Sequence, residues 1–157
     1  MKEIAYAIIP IAGMFALRRV ARLAVAVTTG PPWKKKRGVD YFKVRVTFRN
    51  KGDLPIENWS FSIYATATIE GKNYTHAIAS GNLSLEVGET KILPSETTYF
   101  ERLVEPTTPL GIWDCTVTVA DVPVGQAGKI VASHTEPNAW EITEPVKAVE
   151  IVKVEVE

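Results

Sequence analysis

Three short motifs carry residue types that accept a covalent glycan. Each has the Asn-x-Ser/Thr pattern of an N-glycosylation acceptor: Asn58-Trp59-Ser60, Asn73-Tyr74-Thr75 and Asn82-Leu83-Ser84. The chain has only five asparagines, and three of them stand in this pattern within 27 residues. The pattern predicts an extracellular, glycan-bearing domain. The alternative interpretation is that Ser and Thr occur at these positions because they are enriched in strands.

The residue types of metal and nucleophilic catalysis are sparse. His76 and His134 stand apart, with no His-x-x-x-His, Cys-x-x-Cys or Asp-x-Asp-x-Asp spacing near either. Cys115, the one cysteine, alternates with Trp113 and Val117, which predicts a buried, inert thiol. The sequence also lacks a Gly-x-Ser-x-Gly elbow, a P-loop and a dinucleotide-binding fingerprint. We therefore expect no enzymatic activity, no cofactor and no metal site.

Charge divides the chain into two parts of opposite sign. Residues 1–50 contain 11 Lys or Arg and 2 Asp or Glu, whereas residues 51–157 contain 7 and 16, so the formal net charge of zero hides the division. Hydrophobic residues make up 46% of the 157 residues, enough for one ordinary globular domain and a short appendage. Opposite ends of neighbouring copies should attract each other.

The amino-terminal residues 1–27 are predicted to form a hydrophobic helix. The stretch 4–17 has no charged residue, but as a helix it would be about 21 Å long, shorter than the roughly 30 Å of a bilayer core. Extension to Val27 adds Arg18, Arg19 and Arg22. We favour either a membrane anchor with snorkelling arginines or a helix buried against sister subunits. A cleaved signal peptide and a helix packed on its own domain are the alternatives.

Residues 28–38 are predicted to form a Pro-rich, basic linker. Gly30, Pro31 and Pro32 end a helix and stiffen an extended chain. A run of four cations follows them, namely Lys34, Lys35, Lys36 and Arg37. With Arg18, Arg19 and Arg22, this run is the predicted assembly or lipid and anion contact. Nucleic-acid phosphates are a less favoured partner for the run, and a solvated spacer is the alternative interpretation.

From residue 39 to 157 the hydrophobic period changes to two. Phe42, Val44, Val46 and Phe48 alternate with polar residues, and a longer alternation runs from Trp59 to Ile69. Further short β-patterns follow at intervals of 8–15 residues and end with a β-rich segment at 146–156. The predicted fold is mainly β, an antiparallel immunoglobulin-like β-sandwich preceded by one helix. Its predicted core includes the following residues: Trp59, Phe61, Ile63, Trp113 and Val117.

Three segments between Val44 and Ala120 resemble a known module. They are Val46-Thr47-Phe48-Arg49-Asn50-Lys51-Gly52-Asp53, Leu85-Glu86-Val87-Gly88-Glu89-Thr90 and Pro109-Leu110-Gly111-Ile112-Trp113-Asp114. This half of the chain is similar to the CARDB-like, immunoglobulin-type β-sandwich modules of archaeal and bacterial surface proteins and of archaeal virus structural proteins. The resemblance implies a structural or adhesive role.

These observations support three functional hypotheses. The first is a non-enzymatic structural subunit of a virion shell or an extracellular surface filament, located outside the cell or on the virion surface. Its partners would be copies of itself and other structural subunits, with membrane lipid around the amino-terminal helix. The second is an accessory subunit of a membrane protein complex. The third is a carbohydrate- or surface-binding module that uses exposed aromatic residues such as Trp33, Tyr64 or Trp140.

Overall fold

The computed structural model describes residues 22–146, which form nine β-strands. Their bounds are β1 Leu23–Thr29, β2 Lys34–Lys36, β3 Tyr41–Asn50, β4 Ile56–Ile69, β5 Lys72–Leu85, β6 Thr90–Leu93, β7 Phe100–Leu103, β8 Gly111–Ala120 and β9 Ile130–Thr143. The described part contains no helix long and apolar enough to cross a bilayer. The predictions for residues 1–21, including Arg18 and Arg19, and for residues 147–157 lie outside the described residues.

The strands form two facing sheets. A four-stranded sheet has the order β1-β3-β6, with β7 also paired to β3, and a five-stranded sheet has the order β2-β9-β8-β4-β5. The mainly β, two-sheet prediction is therefore confirmed. One pair departs from the antiparallel expectation, because β2 runs parallel to β9. The sequence pattern predicts two separate segments, Tyr74 to Ala79 and Leu83 to Val87, whereas the structure has one strand of 14 residues, β5.

The core lies between the sheets and, within the described part of the chain, combines mainly aliphatic side chains with five buried aromatic residues. The Phe42 ring lies 4.8 Å from that of Trp140 and 6.2 Å from that of Trp113, measured between centroids. Toward the other end, Phe61 contacts Phe48 and Phe100 at centroid distances of 5.5 and 5.9 Å. The predicted core positions Phe61, Ile63, Trp113 and Val117 are buried, but Trp59 is only partly buried at the margin.

The predicted helix is wrong over residues 23–27, which belong to β1. This strand pairs antiparallel with β3 over seven consecutive residues, from Leu23 opposite Asn50 to Thr29 opposite Val44. Leu23, Val25 and Val27 pack against the core, because alternate side chains of a strand face the same side. The local period of two and the β-branched valines outweigh the helical tendency of the interleaved alanines.

The predicted linker 28–38 is also part of the sandwich. Thr28 and Thr29 complete β1, and the basic run contributes β2, which pairs with Glu141, Ile142 and Thr143 of β9. Lys35 is fully buried, whereas its neighbours Lys34 and Lys36 are exposed. The run is therefore an edge strand and not a solvated spacer. A free linker was expected because four adjacent cations rarely form a buried element.

The β5 edge of the five-stranded sheet is partly covered by cations from the opposite sheet. Arg102 of β7 donates from Nη1 to the carbonyl oxygen of Ala77 at 3.0 Å. Lys91 of β6 donates from Nζ to the carbonyl oxygen of Ser84, also at 3.0 Å. A register shift in the β4–β5 pairing, between Ile63 and Tyr64, further interrupts this edge.

Removal of residues 1–38 should therefore damage the fold. Such a chain lacks β1, β2 and the buried Lys35 side chain, so we expect no cooperative thermal melt. A chain that begins at Arg22 keeps all nine strands and should melt cooperatively. Circular dichroism during heating would measure both, and equal melts would show that β1 and β2 contribute nothing to stability.

Candidate functional site

The three glycosylation candidates lie on the β4–β5 hairpin. Asn73 and Asn82 belong to β5, Asn58 belongs to β4, and all three residues are exposed. Asn73 is opposite Thr68 and Asn82 is opposite Ser60 in the β4–β5 register, which places both on the outer face of the five-stranded sheet. Asn58 has a φ of 54°, where the register shifts before Trp59. The structure thus brings the three positions to one edge of the molecule.

The hydrogen bonds of these side chains use their oxygen atoms. Asn73 Oδ1 accepts from the Thr68 hydroxyl at 2.7 Å, and Asn82 Oδ1 accepts from the backbone nitrogen of Val124 at 3.1 Å. The amide nitrogen is the atom that would carry a glycan. In the third motif, the Ser84 hydroxyl accepts from the backbone nitrogen of Asn58 at 2.9 Å, which ties two of the motifs together.

The outer face of the five-stranded sheet is rich in hydroxyl groups. The Oγ1 atoms of Thr66 and Thr116 are 3.1 Å apart, and those of Thr116 and Thr135 are 3.2 Å apart. These bonds join β4, β8 and β9 in one continuous row. Further hydroxyl side chains stand at neighbouring positions of the same face: Ser60, Ser62, Thr68, Thr75, Ser80, Thr118 and Ser133.

The predicted basic contact residues do not form one surface. Arg22, Lys34 and Lys36 are exposed, but Lys35 is buried. Arg37 is ion-paired with Glu144, and its Nη1 donates to the carbonyl oxygen of Thr108 at 2.8 Å. Two of the four cations in the run are therefore held by the sandwich itself.

Lys35 is the most unusual ionisable group in this region. Its Nζ donates to the carbonyl oxygen of Gly30 at 3.2 Å, and the residue has no exposed surface. Burial, together with the nearby charge of Lys43, lowers the pKa of Lys35 from 10.5 to about 8, although Asp40 and Glu101 oppose this change. Lys35 thus connects the β1–β2 turn to β9.

A cationic face on β3 was not recognised in the sequence. The buried residues of β3 alternate with outward-facing ones, and the latter include Tyr41, Lys43, Arg45 and Arg49. The Arg45 guanidinium lies 4.3 Å above the Tyr99 ring centroid, and its Nε donates to the carbonyl oxygen of Thr98 at 3.0 Å. The spacing Lys-x-Arg-x-x-x-Arg on an alternating strand was the available signal, because it puts every cation on one side.

Of the other titratable candidates, Cys115 is part of the core, whereas His76 and His134 are partly buried outside it. Burial and the nearby Glu136 raise the pKa of the Cys115 thiol to about 12. Burial and Arg102 lower the pKa of His76, whose ring lies 5.6 Å from that of Phe42. Within residues 22–146 there is no group of three or more His, Cys, Asp or Glu residues that could hold a metal ion.

Cys115 should be almost unreactive in the folded protein. With a pKa of about 12 the thiolate fraction at pH 8 is about a thousand-fold lower than for an ordinary cysteine, so labelling by a maleimide should be negligible. The same reagent in concentrated urea should label the thiol completely. Fast labelling of the native protein would contradict the burial of this side chain.

The aromatic residues considered for carbohydrate binding are not on one surface. Trp33 is 47% exposed, and its Nε1 donates to the carbonyl oxygen of Asn138 at 2.9 Å. Tyr64 is half-buried on the outer face of β4. Trp140 is fully buried, so the expectation that it is an exposed sugar-binding aromatic is wrong. The β8–β9 register shifts near Trp113, which removes the sequence signal for the orientation of Trp140.

Comparisons with known proteins were made by sequence and by structure. No family model matches the chain, and no curated protein matches it. The crystal structure of the CARDB domain of the Pyrococcus furiosus protein PF1109, in complex with di-metal ions, is similar over 81% of this chain and 97% of that domain, with a TM-score of 0.51 and 14% identity. The solution structure of that domain matches with a TM-score of 0.46 and 16% identity, over 78% of this chain and 97% of that one.

Two β-glucosidases are also similar in part. The enzyme from Listeria innocua has a TM-score of 0.46 and 17% identity, and EmGH1 from Erythrobacter marinus has a TM-score of 0.48 and 13% identity. Each match covers 78% of this chain but only 16% of the enzyme. The likeness to the archaeal domain spans nearly all of that domain and concerns the fold. By its fold, the described part of the chain is a CARDB-like β-sandwich module.

Proposed function

We propose that the protein is a non-enzymatic structural subunit of a virion shell or an extracellular surface filament. In this proposal the amino-terminal segment is embedded in the assembly or in a membrane, and the sandwich is displayed outward. The observation that carries the proposal is the direct entry of the chain into β1. Only a few residues separate the uncharged stretch 4–17 from a strand that is built into the sandwich.

The early position of β1 in the sequence suits a repeating assembly. β1 pairs with β3 over seven residues, and the carbonyl oxygen of Arg22 accepts from the backbone nitrogen of Lys51 at 2.7 Å, just before the strand. An embedded segment that ends close to Arg22 would restrict the orientation of the sandwich more than one joined to it by a long flexible linker. Subunits that repeat in a shell or filament need such a fixed orientation.

The oligomeric state of the full-length chain tests this proposal. We expect the purified chain to form large particles that persist in mild detergent, visible by sedimentation and electron microscopy. The variant Ile8→Glu/Ile11→Glu should reduce assembly, whereas Thr66→Ser/Thr118→Ser on the five-stranded sheet should leave it unchanged. A monomer that is insensitive to detergent would overturn the proposal.

An accessory subunit of a membrane protein complex is the second candidate. The cationic outer residues of β3 favour it, because they give the sandwich a surface suited to an anionic neighbour. In that case detergent would yield small particles that contain a membrane protein of a different sequence. A carbohydrate-binding role is less well supported, since Trp140 is buried in the core.

Glycosylation at the exposed sequons is expected if the sandwich lies outside the cell. The intact mass of the protein from its native source should exceed the 17.3 kDa of the bare chain. Asn73→Gln and Asn82→Gln should each lower the mass by that of one glycan. Asn138→Gln is the matched control, because Asn138 is exposed but is not part of a sequon. A mass equal to that of the bare chain would show that the sequons are unused.

A further inference from the structure

We propose that the outer face of the four-stranded sheet docks on an anionic lipid bilayer. We call this surface the cationic face and define it by the outward residues Tyr41, Lys43, Arg45, Thr47 and Arg49 of β3 together with the outward residues of β1. The inference rests on the proposed function in one respect, namely that the amino-terminal segment brings the sandwich to a membrane. It adds which side of the sandwich meets the lipid and through which side chains.

The charges of this face are mostly unpaired. Lys43 is opposite Glu101 of β7 in the register, but Arg49 is opposite the uncharged residues Ala24 and Thr90. None of the ion pairs among residues 22–146 involves Arg45 or Arg49. Arg22 and Lys51 are exposed beside the end of β3 and are also outside these ion pairs. The face therefore has a net positive charge, which Glu101 partly balances near Lys43 and which is strongest near Arg49 and Lys51.

The shape and chemistry of the face suit a flat, anionic surface. Lys43 and Arg49 are six residues apart on one strand, which spreads the cations over about 20 Å. Next to them, β1 presents the small side chains of Ala24, Ala26 and Thr28 outward, and the Tyr99 ring lies against Arg45 on the same face. Tyr41 is 45% exposed at one end, and tyrosine is favoured at the headgroup level of membranes.

The opposite side of the sandwich carries hydroxyl groups and glycosylation candidates instead of a row of cations. The outer face of the five-stranded sheet carries the hydroxyl row, and Asn73 and Asn82 project from its β5 edge. Glycans on these residues would extend away from a bilayer that lies under the cationic face. The chain also enters the fold at β1, on the sheet that bears the cationic face, so a membrane-embedded segment before Arg22 would hold this sheet near the lipid.

A fluorescent label on each face tests the proposal in the full-length chain. Thr47→Cys on β3 and Thr118→Cys on β8 are matched positions, because both are partly buried outward residues of inner strands. The buried Cys115 will not compete for the label. Each labelled chain is reconstituted in vesicles of phosphatidylcholine alone or with 30% phosphatidylglycerol, and a quencher on the lipid headgroup reports contact. Thr28→Cys on β1, which is exposed, replaces the first position if that variant does not fold.

We expect quenching of the label at residue 47, but not at 118, in the anionic vesicles at low salt. Quenching should weaken at 0.5 M salt, where the Debye length is well below the roughly 8 Å of physiological conditions. The variant Arg49→Glu/Lys51→Glu should abolish it. Lys72→Glu/Lys129→Glu is the matched control, since it changes the net charge equally at exposed positions of the five-stranded side and should leave quenching intact.

Equal quenching of both labels, quenching of neither label, or quenching that does not depend on the anionic lipid would each overturn the proposal. Protection of residue 47 by a DNA duplex in place of the bilayer would also overturn it, in favour of a nucleic-acid surface. The proposed function is judged separately, by the size of the particles. Assembly without quenching at residue 47 would refute only the docking face, and quenching without assembly would refute only the structural-subunit role.

Discussion

Replacement of Phe61 with alanine is expected to lower the free energy of unfolding by about 3–5 kcal/mol. The Phe61 ring is 3% exposed and packs between Phe48 and Phe100. It also covers Gly81 of β5, where an added Cβ would come within 2.8 Å of the ring. Because glycine has no side chain to move into the space, the cavity should remain open, and the loss should lie near the upper end of this range.

Chemical denaturation measures this loss, and a second variant controls for the strand itself. Tyr64→Ala removes an aromatic side chain from the same strand, but from its outer and half-buried face, and should cost much less. If Phe61→Ala left the unfolding midpoint unchanged, the assignment of the inner and outer faces of β4 would be reversed. A loss shared equally by the two variants would contradict it in the same way.

Lys35 should make the stability of the protein depend on alkaline pH. Its pKa is about 8 in the fold and 10.5 when unfolded, so between these values the unfolded chain binds more protons. Stability should therefore rise as the pH rises from about 8 to 10.5, and the penalty returns as the pH falls through 8. The whole effect is about 3 kcal/mol, from roughly 1.4 kcal/mol for each pKa unit.

The variant Lys35→Met isolates this effect from the other groups that titrate at high pH. It keeps an unbranched side chain, one atom shorter than lysine, but removes the charge. Its free energy of unfolding relative to that of the natural protein should therefore fall by about 3 kcal/mol between pH 7 and pH 10.5. For Lys34→Met, at an exposed neighbouring position, stability should depend on pH in the same way as in the natural protein. Parallel curves for Lys35→Met as well would show that the buried amine is already neutral at pH 7 or reaches water.

The sequence predicts the strands whose two faces meet different surroundings. β3 and β4 alternate cleanly because one face meets the core and the other meets solvent. The sequence also predicts a strand near Thr90 to Leu93, after the turn residue Gly88, and β6 has these bounds. The sequence does not predict β1, because its alanines and valines follow the uncharged stretch 4–17 and three arginines, and a helical continuation fits this composition equally well. Only its pairing with β3 distinguishes the two structures.

Other features depend on contacts distant in sequence. The burial of Lys35 is set by the parallel pairing of β2 with β9, more than 100 residues later, and nothing in a run of cations reports that pairing. The Asn-x-Ser/Thr motif identifies the three sequons, and the structure adds that Asn58, Asn73 and Asn82 are exposed. The division of charge along the chain does not reveal the cationic face, because the alternation of β3 places Lys43, Arg45 and Arg49 on one side of the strand.

The partly covered edge of β5 affects how readily this protein can aggregate. A 14-residue edge strand with few charges is a template on which foreign strands can polymerise into cross-β aggregates. Arg102 and Lys91 already occupy the carbonyl oxygens of Ala77 and Ser84, and the register shift near Ile63 bends the remaining ladder. Cations of the neighbouring sheet thus protect this edge against amyloid-like growth, a protection that would matter most if many copies gather at high local density, as the proposed function requires.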